Sequence, residues 1–107
     1  MMQKLPNRGI STLSATEYLI LSLLQGNRGR EMYGLEMVGK SDGKLKKGTV
    51  YVLLGRLEEK GFVKARQEEV SDTATPRRLY RLTGTGQKVF DAWSQVAALG
   101  ALRGAVA

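Results

Sequence analysis

Apolar positions along this chain recur first at helical spacing, then in alternation, then at helical spacing again. Ser14-Ala15-Thr16-Glu17 has capping-box spacing, in which Ser14 accepts from the Glu17 amide and Glu17 reaches back. Behind it Ile20, Leu23 and Leu24 stand at i, i+3 and i+4, and Leu19 and Leu21 widen that face. The pattern predicts a helix to about Gln25, stopped by Gly26 and Gly29. A second, short helix is predicted from near Tyr33-Gly34 to Lys40 or Ser41, with Leu35 and Val38 as its stripe and Met37 close to it. Ser41 to Lys47, with Asp42-Gly43, reads as a turn. The third helix has one clean stripe, Val50, Leu53, Leu54 and Leu57, and Gly61 in position to end it.

The period then changes. Val63, Ala65 and Gln67 alternate with Phe62, Lys64 and Arg66, and Glu69 to Pro76 is mostly polar. Arg77 to Leu82 alternates again, with Tyr80 and Leu82 on one face and Arg77 and Arg81 on the other, which predicts a hairpin. Thr83 or Thr85 caps a final helix that presents Val89, Phe90, Trp93, Val96 and Ala97, then Leu99 or Leu102. Helix, helix, helix, hairpin, helix is a mainly α fold with a small β-hairpin. It is the layout of a winged helix-turn-helix plus a C-terminal helix, the third helix being the one that enters a major groove and the hairpin turn the wing. The expected division is a flexible N-terminal arm at 1–13, marked by Pro6 and Gly9, a winged helix domain at 14–83, and a dimerisation helix at 84–104.

Composition narrows the chemistry. The 107 residues contain neither cysteine nor histidine, so disulfides, thiolate metal sites and the commonest general base are excluded. Glu58-Glu59 and Glu68-Glu69 are adjacent pairs that point in different directions, so no catalytic residues, metal site or cofactor are expected. The formal charge is +7, a balance that suits a polyanionic partner. Its placement is informative: Lys40, Lys44, Lys46 and Lys47 cluster before the third helix and Arg77, Arg78 and Arg81 along the hairpin. The first residues lack the apolar core of a signal peptide, and Tyr18 to Leu24 is too short to span a bilayer, so a cytoplasmic location is expected.

Four segments, in order and at fitting spacing, resemble the PadR family of bacterial transcriptional regulators, across about residues 15 to 95. They are the apolar helix Tyr18–Leu24, Tyr33-Gly34-Leu35-Glu36-Met37, Gly48 through Val63, and Arg77 through Gly86. Val52 stands where the family usually has proline, and Leu35 where an aromatic is common. The resemblance implies a repressor-like homodimer whose last helix packs against the partner, often near its first helix. It also implies, for some small members, a flat aromatic ligand held at the dimer interface.

The residues support a duplex-DNA reading in their own right. Phosphates supply most of the affinity and bases the selectivity. Lys44, Lys46 and Lys47 precede the third helix, where the amides of Gly48 and Thr49 and the helix dipole favour a phosphate. The alternative is a solvated lysine turn. Thr49, Tyr51, Val52 and Arg56 face away from the core stripe, Thr49 and Val52 toward thymine methyls and Arg56 toward guanine or phosphate. The alternatives are packing for Tyr51 and an ion pair with Glu59 for Arg56. Arg77 flanks the wing tip and suits DNA, whereas Arg78 shares a face with Tyr80 and also suits snorkelling over the core. Tyr33 and Gly34 open the second helix, either beside a phosphate or as packing and turn residues.

Leu19, Val89, Phe90, Trp93, Val96 and Ala97 are the expected dimer contacts, because so small a core cannot hide the last helix's apolar side alone. Trp93 is also a candidate platform for a planar effector. A winged helix that docks proteins instead of DNA is the competing function.

Overall fold

Ser14 starts the first helix as its spacing predicts. In the computed structural model, which describes residues 13–69 and 76–106 and side chains as far as Ala98, α1 spans Ala15–Gly26. The Glu17 amide donates to Ser14 Oγ at 3.1 Å, and the Ser14 amide donates to Glu17 Oε1 at 2.9 Å. Residues 1–12 of the expected arm lie outside the described residues. Leu13, read as the end of that arm, is instead buried in the core. It sits just before the cap, where an apolar residue staples onto the helix it precedes.

After α1 come β1 (Met32–Tyr33), α2 (Gly34–Lys40), α3 (Lys47–Glu59), β2 (Val63–Gln67), β3 (Arg78–Leu82) and α4 (Gly84–Val106). The hairpin is part of a three-stranded antiparallel sheet of order β1-β3-β2, with Val63 opposite Leu82 and Tyr33 opposite Leu79. Three helices against a small sheet form the winged helix fold, and Ile20, Leu21, Leu24, Met37, Val50, Leu54, Leu57 and Tyr80 share one core.

Two expectations for the second helix and its turn are corrected. Leu35 is not on the buried stripe. Gly34 and Met37 face inward, and Leu35 is 49% exposed. In a helix of seven residues a single inward row at i, i+3 and i+7 is enough, and it continues to buried Ser41. The lysine-rich turn also contains a core residue, Leu45. Ser41 holds it there, with Oγ donating to the Val38 carbonyl at 2.8 Å and accepting from the Leu45 amide at 2.9 Å.

Gly61 ends α3 with φ +80°, a conformation that costs glycine little. Its amide donates to the Glu58 carbonyl and the Phe62 amide to the Leu57 carbonyl, a Schellman pair that turns the chain into β2. Thr83, of the two candidate caps, begins α4, accepting from the Gly86 amide at 2.9 Å. α4 returns to α1, where the Phe90 and Tyr18 rings stack at 5.3 Å and the Tyr18 and Ser94 hydroxyls are 2.9 Å apart. Among the described residues no helix is long and apolar enough to cross a membrane.

Candidate nucleic-acid interface

The inward stripe of α3 is fully buried at Val50, Leu54 and Leu57, which fixes what the helix shows outward. Lys47, Gly48, Thr49, Tyr51, Val52 and Arg56 are all exposed, as are Lys44 and Lys46 just before it. None of Lys44, Lys46, Lys47 and Arg56 enters an ion pair among the described residues. The expected alternative for Arg56, a pair with Glu59, is therefore not formed. At the helix start the Thr49 amide donates to the Lys46 carbonyl at 3.1 Å, so it is not available to an anion as the sequence suggested. Gly48, one residue earlier, has no intrahelical acceptor.

Tyr51 stands on the first residue of α2. A Cβ at Gly34 would lie 2.6 Å from Tyr51 Cε1 and 2.9 Å from its hydroxyl oxygen, so only glycine admits the ring there. The ring is 48% exposed and Val52 beside it 55%. An open cleft of about 470 Å³ runs between this corner and the hairpin, lined by Tyr33, Leu35, Tyr51, Arg77 and Arg78.

The wing arginines are engaged within the chain. Arg77 lies over the Tyr33 ring, 3.9 Å from its centroid, and its Nε donates to Glu68 Oε1 at 3.2 Å. The Tyr33 hydroxyl donates to the other carboxylate oxygen of Glu68. That hydrogen bond holds the Glu68 carboxyl below its ordinary range, with Arg77 adding to the effect, and raises the Tyr33 hydroxyl. Arg78 donates to Glu58 of α3 at 3.1 Å, which anchors its half-exposed guanidinium to that helix. Arg66 forms a two-pronged pair with Glu31, both distances 2.7 Å, which lowers the Glu31 carboxyl.

Sequence reasoning missed the acids Glu31, Glu58 and Glu68. A signal existed for one of them: the hairpin ladder continues with the Glu68 amide donating to the Arg77 carbonyl at 2.7 Å, so register alone sets opposite charges face to face. Of the expected interface residues on α4 and α1, Leu19, Val89, Phe90 and Trp93 are half-buried against this chain's own core. Val96 is 61% exposed and Ala97 is exposed. Among the described residues there is no cluster of acidic side chains, or of any other metal-ligating type, that could hold a metal ion.

The profile of the transcriptional regulator PadR-like family matches residues 20–92, from the middle of α1 into α4. The chain belongs to the PadR-like family of transcriptional regulators. A PadR family transcription regulator from hypervirulent Clostridium difficile R20291 is similar, with a TM-score of 0.70 at 26% identity over 80% of this chain and 90% of that one. A transcriptional regulator from Clostridium thermocellum is 29% identical, with a TM-score of 0.63 over 78% of this chain and 83% of that one. Bacillus subtilis PadR, solved in complex with operator DNA, shares the fold with a TM-score of 0.63 at 24% identity over 75% of this chain and 47% of that one. No curated protein matches the chain significantly. Members of the PadR-like family are transcription regulators and not enzymes.

Proposed function

We propose that this PadR-like chain is a sequence-specific repressor that binds operator duplex as a homodimer, with α3 in the major groove and the hairpin on the adjacent backbone. One observation carries the reading. The turn into α3 and its outward face present Lys44, Lys46, Lys47 and Arg56 without ion pairs among the described residues, while the nearby arginines Arg77 and Arg78 are matched by acids. Lysines beside a helix N-terminus favour a phosphate. Thr49, Val52 and Tyr51 offer apolar and hydroxyl contacts to base edges, and Arg56 two parallel donors. The DNA-bound Bacillus subtilis protein lends support through the shared fold.

A second copy is proposed because α4, at 23 residues, extends roughly 35 Å, while Val96 on it remains exposed. Symmetric pairing would set two recognition helices about 34–36 Å apart, one turn of duplex, on a palindromic site. Repression is the output of such occupancy where the site overlaps a promoter. A planar effector would stack at half-buried Trp93, and quenching of its fluorescence by planar cations or phenolics tests that assignment.

The DNA reading is tested by neutralising the lysines. K46Q/K47Q is expected to weaken binding uniformly across sequences and to reduce the slope of log K against log salt by about 0.9 for each lost phosphate contact. An unchanged slope would move the function to protein docking.

A further inference from the structure

Glu68, Arg77 and Tyr33 form a closed triangle where the hairpin meets the recognition unit. Glu68 follows β2 and Arg77 precedes β3, and a backbone hydrogen bond joins them. Both oxygens of Glu68 are occupied, one by Arg77 Nε and the other by the Tyr33 hydroxyl, and the Arg77 guanidinium is stacked on the Tyr33 ring. Tyr33 is the residue before Gly34, the seat of the Tyr51 ring. The triangle therefore ties the outer end of the described β2–β3 ladder to the point where α2 and α3 touch.

The chemistry of Arg77 gives this arrangement a consequence for recognition. It borders the same cleft as Tyr51, so an unrestrained guanidinium there would reach a backbone lying along α3. A cation on a phosphate strengthens binding to every sequence alike. It raises non-specific binding as much as specific binding and adds nothing to their ratio, which is what matters against a genome of competing sites.

We propose that Glu68 is a specificity-setting residue that withholds Arg77 from the duplex backbone while it clamps the wing to the start of α2. This rests on the DNA-binding reading above. Arg77 is then a positioning residue, and the wing acts through its placement. Lys46 and Lys47, which have no such restraint among the described residues, supply the phosphate contacts.

The test compares the full chain with E68Q, R77Q and the double variant on a random-sequence duplex, by fluorescence anisotropy across a salt series. E68Q is expected to bind the random duplex several-fold more tightly, with the log–log slope steeper by about 0.9 per released arginine, close to 2 for a dimer. R77Q keeps the wild-type slope, and the double variant returns to it. A residue that only stiffened the hairpin would leave every slope unchanged. An E68Q slope equal to wild type, or an R77Q slope shallower by about 2, overturns the inference. Should E68Q fail to fold by circular dichroism, R77Q against wild type decides. Wild-type binding that ignores salt would overturn the DNA-binding reading itself, separately from the role of Glu68.

Discussion

A β-carbon at position 34 would stand 2.6 Å from an atom of the Tyr51 ring, and the way that clash is relieved decides what the residue is for. Gly34 is buried beneath the Tyr51 ring, but the clash is with the far end of that flexible, half-exposed side chain, which can swing outward, so G34A should cost only about 1 kcal/mol in stability. It should nonetheless displace Tyr51 from the outward corner of α3. The expected outcome is near-normal urea unfolding together with a loss of operator affinity equal to that of Y51A. Normal affinity would show that the position of the ring is incidental. At this scale the sequence told part of the story. The exposure of Thr49, Val52 and Arg56 followed from the period of α3, and that of Lys44, Lys46 and Lys47 from the polar turn that leads into it. The contacts of Arg77 with Tyr33 and of Arg78 with Glu58 did not, because they span 44 and 20 residues of chain, and only the pairing of β1 with β3 and the packing of α3 on the hairpin bring them near.

Among the elements, the wing is held to the rest of the fold by charge and α1 to α3 by a buried acid. Glu31 and Glu68 both have carboxyls lowered by their partners, Arg66 first for Glu31 and the Tyr33 hydroxyl first for Glu68. Carboxyls with depressed folded values contribute stability that is complete above the unfolded range, about 4.3, and is lost as pH falls through the lower folded values. Amide exchange in β2 and β3 should therefore accelerate below about pH 4 while α1 and α3 remain protected. Simultaneous loss of all elements would show that the two ties do not hold the wing. The second link is Glu17, 4% exposed, which completes the α1 cap and accepts from Lys60 Nζ at 3.2 and 3.3 Å. E17A removes both the cap partner and the acceptor of a lysine, so it should destabilise by about 2 kcal/mol, read by chemical denaturation. The helices were legible because apolar stripes of 3.6 period and caps are local signals. β1 was not: two residues carry no period, and they are a strand only because Met32 and Tyr33 pair with Tyr80 and Leu79.

At the scale of the whole molecule, α4 ties this chain to itself and, as proposed, to a second copy. Tyr18, Phe90 and Ser94 fix its first half on α1, and exposed Val96 lies beyond them. V96D should yield a folded monomer by sedimentation at micromolar concentration, whereas F90A should loosen the fold itself. A V96D chain that remains dimeric would move the interface elsewhere. The central claim is that α3 reads duplex sequence in a symmetric pair, and selection from a random duplex pool, followed by binding of the recovered sites across a salt series, tests it most directly. The account predicts a palindrome with half-sites one helical turn apart and a steep salt slope. Failure to bind any duplex even at low salt would contradict it.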